Sequence, residues 1–90
     1  MTHIDITIKG KVQGVAFRVI AKAVADQLGV KGYVRNEPNG DVLIEAEGDK
    51  LSLDMFLEWC NEGPEHATVT LVESLPGELK NYRNFDVLKR

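Results

Sequence analysis

Two apolar stripes at helical spacing, each set between segments of strand-like alternation, leave this chain few ways to fold. Ile4, Ile6 and Ile8 alternate with Asp5 and Thr7, the pattern of a strand with one buried face. Phe17, Ile20, Ala21, Val24 and Leu28 then recur at the period of an α-helix and stop at Gly29, which predicts a first helix. "GYVRN" (Gly32 to Asn36) and "DVLIEAEG" (Asp41 to Gly48) flank the turn formers Pro38, Asn39 and Gly40. They read as an antiparallel hairpin with Val42, Ile44 and Ala46 facing the core. Leu53, Phe56, Leu57 and Cys60 form the second helical stripe, capped by Asp49 or Ser52 and ended by Gly63 and Pro64. Alternation returns in "ATVTLVESL", with Val69 and Leu71 opposite Thr68 and Thr70, and "NFDVLKR" offers Phe85 and Val87 as the last strand's inward pair. "PGELKNYRN", just before it, reads as a mobile loop.

With right-handed crossovers, the order strand, helix, strand, strand, helix, strand places both helices on one face of an antiparallel sheet. The expected fold is therefore an α+β, ferredoxin-like βαββαβ sandwich, and 90 residues suit a single domain spanning 1–90. No run approaches the roughly 20 apolar residues of a membrane span, and "MTHIDITIKG" lacks the basic start and apolar block of a signal peptide. A cytoplasmic chain without a membrane partner is the expectation.

Cys60 is the only cysteine, which excludes an intramolecular disulfide and a cysteine-based zinc cluster, and its place on an apolar stripe predicts a buried, inert thiol. His3 reads as a frayed terminal residue and His66 as a loop residue, so neither a metal site nor a cofactor is expected. Met55 and Trp59, i and i+4 neighbours, read as packing.

The net charge of −3 is unevenly spread. Residues 1–36 hold six bases (Lys9, Lys11, Arg18, Lys22, Lys31, Arg35) against Asp5 and Asp26, a balance of +4, while the other 54 residues carry −7. The basic end is where an anion belongs. Nucleic acid is not expected, because the bases are not interleaved with aromatics.

Within that end lies "GKVQGVAFR", Gly10 to Arg18, running from the first strand into the first helix. Such a loop leaves backbone N–H groups pointing at one spot with the positive end of the helix dipole behind them. Gly10 and Gly14 permit the backbone angles of an anion-binding nest, and Arg18 can add a planar fork matched to phosphate oxygens. Neither GxxxxGK[ST] nor GxGxxG is present, so nucleotide-binding loops are excluded. On these features alone the glycines also fit plain turns, and Arg18 a solvated charge.

"IKGKVQGVAFR" followed by "GYVRNEPNGDVLIEAEG" resembles the two signature segments of the acylphosphatase family, and "GPEHATV" is similar to its weaker third. The resemblance implies hydrolysis of acyl phosphates to a carboxylate and inorganic phosphate, without metal or cofactor, and phosphate acting as both product and inhibitor. It places the catalytic arginine at Arg18 and the catalytic asparagine at Asn36. It also implies that Gln13, Gly14, Val15, Ala16, Phe17 and Arg18 grip the phosphoryl oxygens through backbone N–H groups and the guanidinium, while Asn36 orients a water. The expected partner is a small acyl phosphate, and the expected state a monomer.

An acyl phosphate has a good leaving group, so positioning and electrostatic stabilisation can suffice without a side-chain nucleophile. Read from the residues alone, Asn36 equally suits an Asx turn in the hairpin, and Asn39 fits that role more plainly. Val19, Ile20 and Ala21 leave the turn after Arg18 apolar, where the family commonly carries an aromatic and then a hydroxyl residue. That departure keeps a second reading open, a non-catalytic anion-binding or interaction module of the same fold. Glu37 adds a negative charge beside Asn36 that would oppose an anion if it pointed inward.

Overall fold

The order of elements is β1 (Thr2–Lys11), α1 (Phe17–Leu28), β2 (Lys31–Asn36), β3 (Val42–Gly48), α2 (Lys50–Glu62), β4 (Thr68–Gly77) and β5 (Phe85–Val87). The computed structural model describes residues 1–89; Arg90, which ends "FDVLKR" and the expected domain, lies outside the described residues. One sheet runs β4-β1-β3-β2-β5. The four longer strands pair antiparallel, as in a ferredoxin-like sandwich. β5 adds a short fifth strand parallel to β2, with Gly32 opposite Phe85, so the sheet is mixed. The reason lies in the path: residues 78–84 leave one edge of the sheet and reach the other, where β5 runs in the direction of β2.

Both helices turn their apolar stripes to the same core. Phe17, Ala21 and Ala25 of α1 and Leu53, Phe56 and Cys60 of α2 are buried with Ile6, Ile8, Val34, Ile44 and Phe85. Phe56 sits edge-on to Phe85 at 5.8 Å, and Trp59 stacks on Phe56 and lies tilted against Phe17 at 5.2 Å. Burial pushes the Cys60 thiol pKa up, which keeps it protonated and unreactive. Met55, by contrast, is exposed on α2. Asp49 rather than Ser52 caps α2, its carboxylate accepting the Ser52 N–H at 2.8 Å. Among the described residues, no helix is long and apolar enough to cross a membrane.

Three further expectations change in the folded chain. Leu71 is exposed, not inward: between the pairs Lys9–Leu71 and Gly10–Val69, Thr70 is an extra residue, and this bulge puts Val69 and Val72 against the core instead. Residues 78–84 are anchored, because the fully buried Glu47 carboxylate accepts the backbone N–H groups of Lys80 at 2.6 Å and Tyr82 at 3.1 Å. His3 is not frayed but 3% exposed, since register places it opposite Glu47, whose Oε2 lies 2.7 Å from its Nδ1. Burial by itself would lower the His3 pKa, but hydrogen bonds to Glu47 and Asp5 outweigh it and raise it.

Candidate active site

The loop between β1 and α1 owes its path to backbone crowding at one end and left-handed residues at the other. At Gly10 (φ 129°) a Cβ would lie 2.1 Å from the Thr68 carbonyl oxygen, so the last turn of β1 can lie against β4 only as glycine. Gly14 (φ 73°) and Ala16 (φ 60°) then both adopt positive φ. For alanine this costs about 1–2 kcal/mol, which the surrounding structure must impose. Alternating left- and right-handed residues turn successive N–H groups toward one point. α1 has no side-chain cap, and among the described residues no N–H from Gly14 to Val19 is used in a hydrogen bond outside the regular elements. The amino end of a 12-residue helix, with its positive dipole, therefore opens into this loop.

A cleft of about 110 Å³ lies at that point, lined by Val12, Gly14, Ala16, Phe17, Arg18, Val19 and Asn36. Arg18 and Asn36, predicted from separate segments, thus share one cavity. Arg18 is in the first turn of α1, and its Nη1 donates to the Leu88 carbonyl at 2.7 Å. Leu88 is itself held by its N–H on the Val34 carbonyl at 2.9 Å. Asn36 is the last residue of β2, paired with Val42. Its side chain makes no Asx turn; Asn39 does, its Oδ1 accepting the Asp41 N–H at 3.0 Å.

Two of the six predicted phosphate-loop residues, Gln13 and Val15, do not line the cleft. Val15 packs against the core. Gln13 reaches to the hairpin, where its Nε2 donates to the Glu37 carbonyl at 2.8 Å and the Asp41 carbonyl at 2.9 Å. Their backbones remain in the loop. Glu37 pairs with Arg35 at 2.9 Å, so its charge has a cationic partner beside the cleft.

The sequence as a whole bears on the same assignment. An acylphosphatase family model matches residues 4–87. The chain belongs to the acylphosphatase family. An acylphosphatase of Archaeoglobus fulgidus is 47% identical over 87 residues, covering 97% of this chain and 98% of its own. Among solved structures, the acylphosphatase from Bacillus subtilis superposes with a TM-score of 0.95 at 31% identity, covering 98% of this chain and 99% of that one. An acylphosphatase from Coxiella burnetii gives 0.94 at 38% identity, covering 97% and 92%.

For an acylphosphatase the chemistry of the cleft is economical. Its lining offers a guanidinium, an amide and backbone N–H groups, with no hydroxyl, thiol, imidazole or carboxylate side chain among the described residues. Those groups can bind an oxyanion and orient a water, but cannot form a covalent intermediate. His66 is exposed, its ring 3.8 Å from Glu65, and Cys60 is buried in the core, so both lie outside the cleft. Sequence reading missed Leu88 as a support of Arg18 and Gln13 as a brace; the first acts through a main-chain carbonyl, which no side-chain pattern reveals.

Proposed function

We propose that the chain hydrolyses acyl phosphates to a carboxylate and inorganic phosphate at this cleft, with Arg18 and Asn36 as its catalytic residues. The observation that carries the reading is that the uncapped start of α1, Arg18 and Asn36 meet at one cavity. The phosphoryl oxygens accept from the loop N–H groups of residues 13–18 and from the Arg18 guanidinium, which among the described residues uses only Nη1 in a hydrogen bond, to Leu88. Asn36, uncharged, accepts a hydrogen bond from a water and aligns it with phosphorus. The water oxygen forms the new P–O bond as the bond to the acyl oxygen breaks, and the electron pair leaves on the carboxylate. A carboxylate is a weak base, so its departure needs no general acid, and the proton of the attacking water passes to solvent.

Catalysis then consists of grip, alignment and stabilisation of the negative charge on the phosphoryl oxygens. No metal or cofactor is required in this scheme. The substrate is a small acyl phosphate, phosphate competes as product, and a single domain acting as a monomer in the cytoplasm completes the reading. The test is incubation of the purified chain with an aryl acyl phosphate, with and without EDTA, following loss of the anhydride. Undiminished hydrolysis in EDTA supports it; activity that vanishes and returns with magnesium or zinc removes the metal-free scheme, and phosphate binding without hydrolysis leaves a non-catalytic module.

A further inference from the structure

On the face of the sheet away from the helices, an imidazole sits among three carboxylates. His3 has a side chain only 1% exposed; its Nδ1 lies 2.7 Å from Oε2 of Glu47, which is fully buried. Glu47 also accepts the N–H groups of Lys80 and Tyr82, so it is held as a carboxylate, and the His3 Nδ1 is the donor toward it. That leaves Nε2 aimed at two further carboxylates, 2.9 Å from Asp5 Oδ1 and 3.5 Å from Glu45 Oε1. A proton on Nε2, donated to Asp5, satisfies this contact; without it the Nε2 lone pair faces two anionic oxygens, and a cation can take the proton's place.

The geometry points to a divalent transition-metal site of the zinc class, formed by His3 Nε2, Asp5 and Glu45, on the opposite face of the sheet from the helices. The three ligand atoms lie within 4.8 Å of one another. Two ligand atoms on a tetrahedral zinc with bonds of about 2.0–2.1 Å are separated by roughly 3.3 Å, and the 2.9 and 3.5 Å gaps around Nε2 bracket that value. An imidazole whose other ring N–H is held by a buried carboxylate is the usual supporting arrangement for a metal-ligating histidine, and Glu47 supplies it. Tyr82 donates to Glu45 Oε1 at 2.7 Å and Tyr33 donates to Oε2, which fixes that carboxylate in turn. One imidazole nitrogen with two carboxylates favours zinc, cobalt or nickel over magnesium or calcium, whose sites are built of oxygen alone.

The Lys80 ammonium, 2.9 Å from Glu45 Oε1, occupies part of this space and competes with an ion. Its side chain is 55% exposed and free to swing into water, and Asp5, 46% exposed, leaves the site open to solvent for a fourth ligand. Both features predict modest affinity and ready exchange.

The experiment is titration of the full chain with zinc chloride at about pH 8, read by calorimetry and by Tm. One ion per chain and a Tm rise of about 5 °C or more at saturating zinc are expected. Asp5→Asn, a near-isosteric change at a half-exposed position, should weaken binding at least tenfold. Lys80→Ala should tighten it, because the competing ammonium is gone, a result that a purely structural ion network does not produce. Absence of binding in both the wild type and Lys80→Ala overturns the site, as does binding that survives Asp5→Asn but disappears in His66→Ala. Hydrolysis of the acyl phosphate should be the same with and without zinc.

Discussion

Arg18, which lines the cleft, donates from Nη1 to the carbonyl of Leu88 at 2.7 Å, so a residue 70 positions away holds one prong of its guanidinium. A lysine in its place cannot make that bond and grip an oxyanion as a fork at the same time. Arg18→Ala is expected to lower kcat/KM by about 10² to 10³ and to weaken phosphate inhibition, with Arg18→Lys recovering little. Steady-state kinetics with phosphate as inhibitor decides it, and near-normal turnover in Arg18→Ala would move the site elsewhere.

Asn36 and Asn39 lie three residues apart but face different tasks. Asn36 lines the cleft, while Asn39 closes the turn on the Asp41 N–H at 3.0 Å. Asn36→Ala should abolish turnover and leave phosphate affinity and Tm nearly unchanged, since an amide that positions water acts in the transition state. Asn39→Ala should lower Tm and spare the rate per folded molecule. Kinetics and thermal unfolding on the pair separate the roles; the reverse pattern would make Asn36 a turn residue.

Gln13 braces the phosphate loop to the hairpin that carries Asn36, through bonds of 2.8 and 2.9 Å to the carbonyls of Glu37 and Asp41. Gln13→Ala removes both and is expected to cost about 1–2 kcal/mol of stability. It should also lower kcat more than it raises the inhibition constant for phosphate, because the loop stays formed while Asn36 loses its fixed distance from it. Unchanged kcat with lowered stability would make Gln13 a structural brace alone.

Asp49 gives the stability of α2 a pH dependence of known sign. The Ser52 backbone N–H holds its carboxyl below the usual pKa. A depressed folded pKa contributes stability that is present above the unfolded value and is lost as pH falls through the folded one. Asp49→Ala should lower Tm by about 5 °C at neutral pH and flatten the fall of Tm below about pH 4. Asp49→Asn should keep most of the neutral-pH Tm, since an amide oxygen also accepts from Ser52, and still flatten the acid side. Calorimetry between about pH 2.5 and 7 tests this, and parallel acid curves for all three chains would remove the cap from the explanation.

What the sequence by itself determined about this protein is whatever short-range physics encodes. Ile4, Ile6 and Ile8, the stripe from Phe17 to Leu28, and Pro38-Asn39-Gly40 announced strand, helix and turn, because side-chain period and backbone freedom act over a few residues. "GKVQGVAFR" offered an anion loop from glycine freedom and a helix start, but plain turns fitted the same glycines. Tertiary structure alone decided where those pieces meet. It brought Asn36 to Arg18, set Leu88's carbonyl on the guanidinium, turned Leu71 outward through a bulge at Thr70, and buried His3 on Glu47 across 44 positions of chain. Each of these depends on strand register or on a main-chain atom. A one-residue slip exchanges the faces of a strand, and a backbone carbonyl is common to every residue, so neither leaves a local mark.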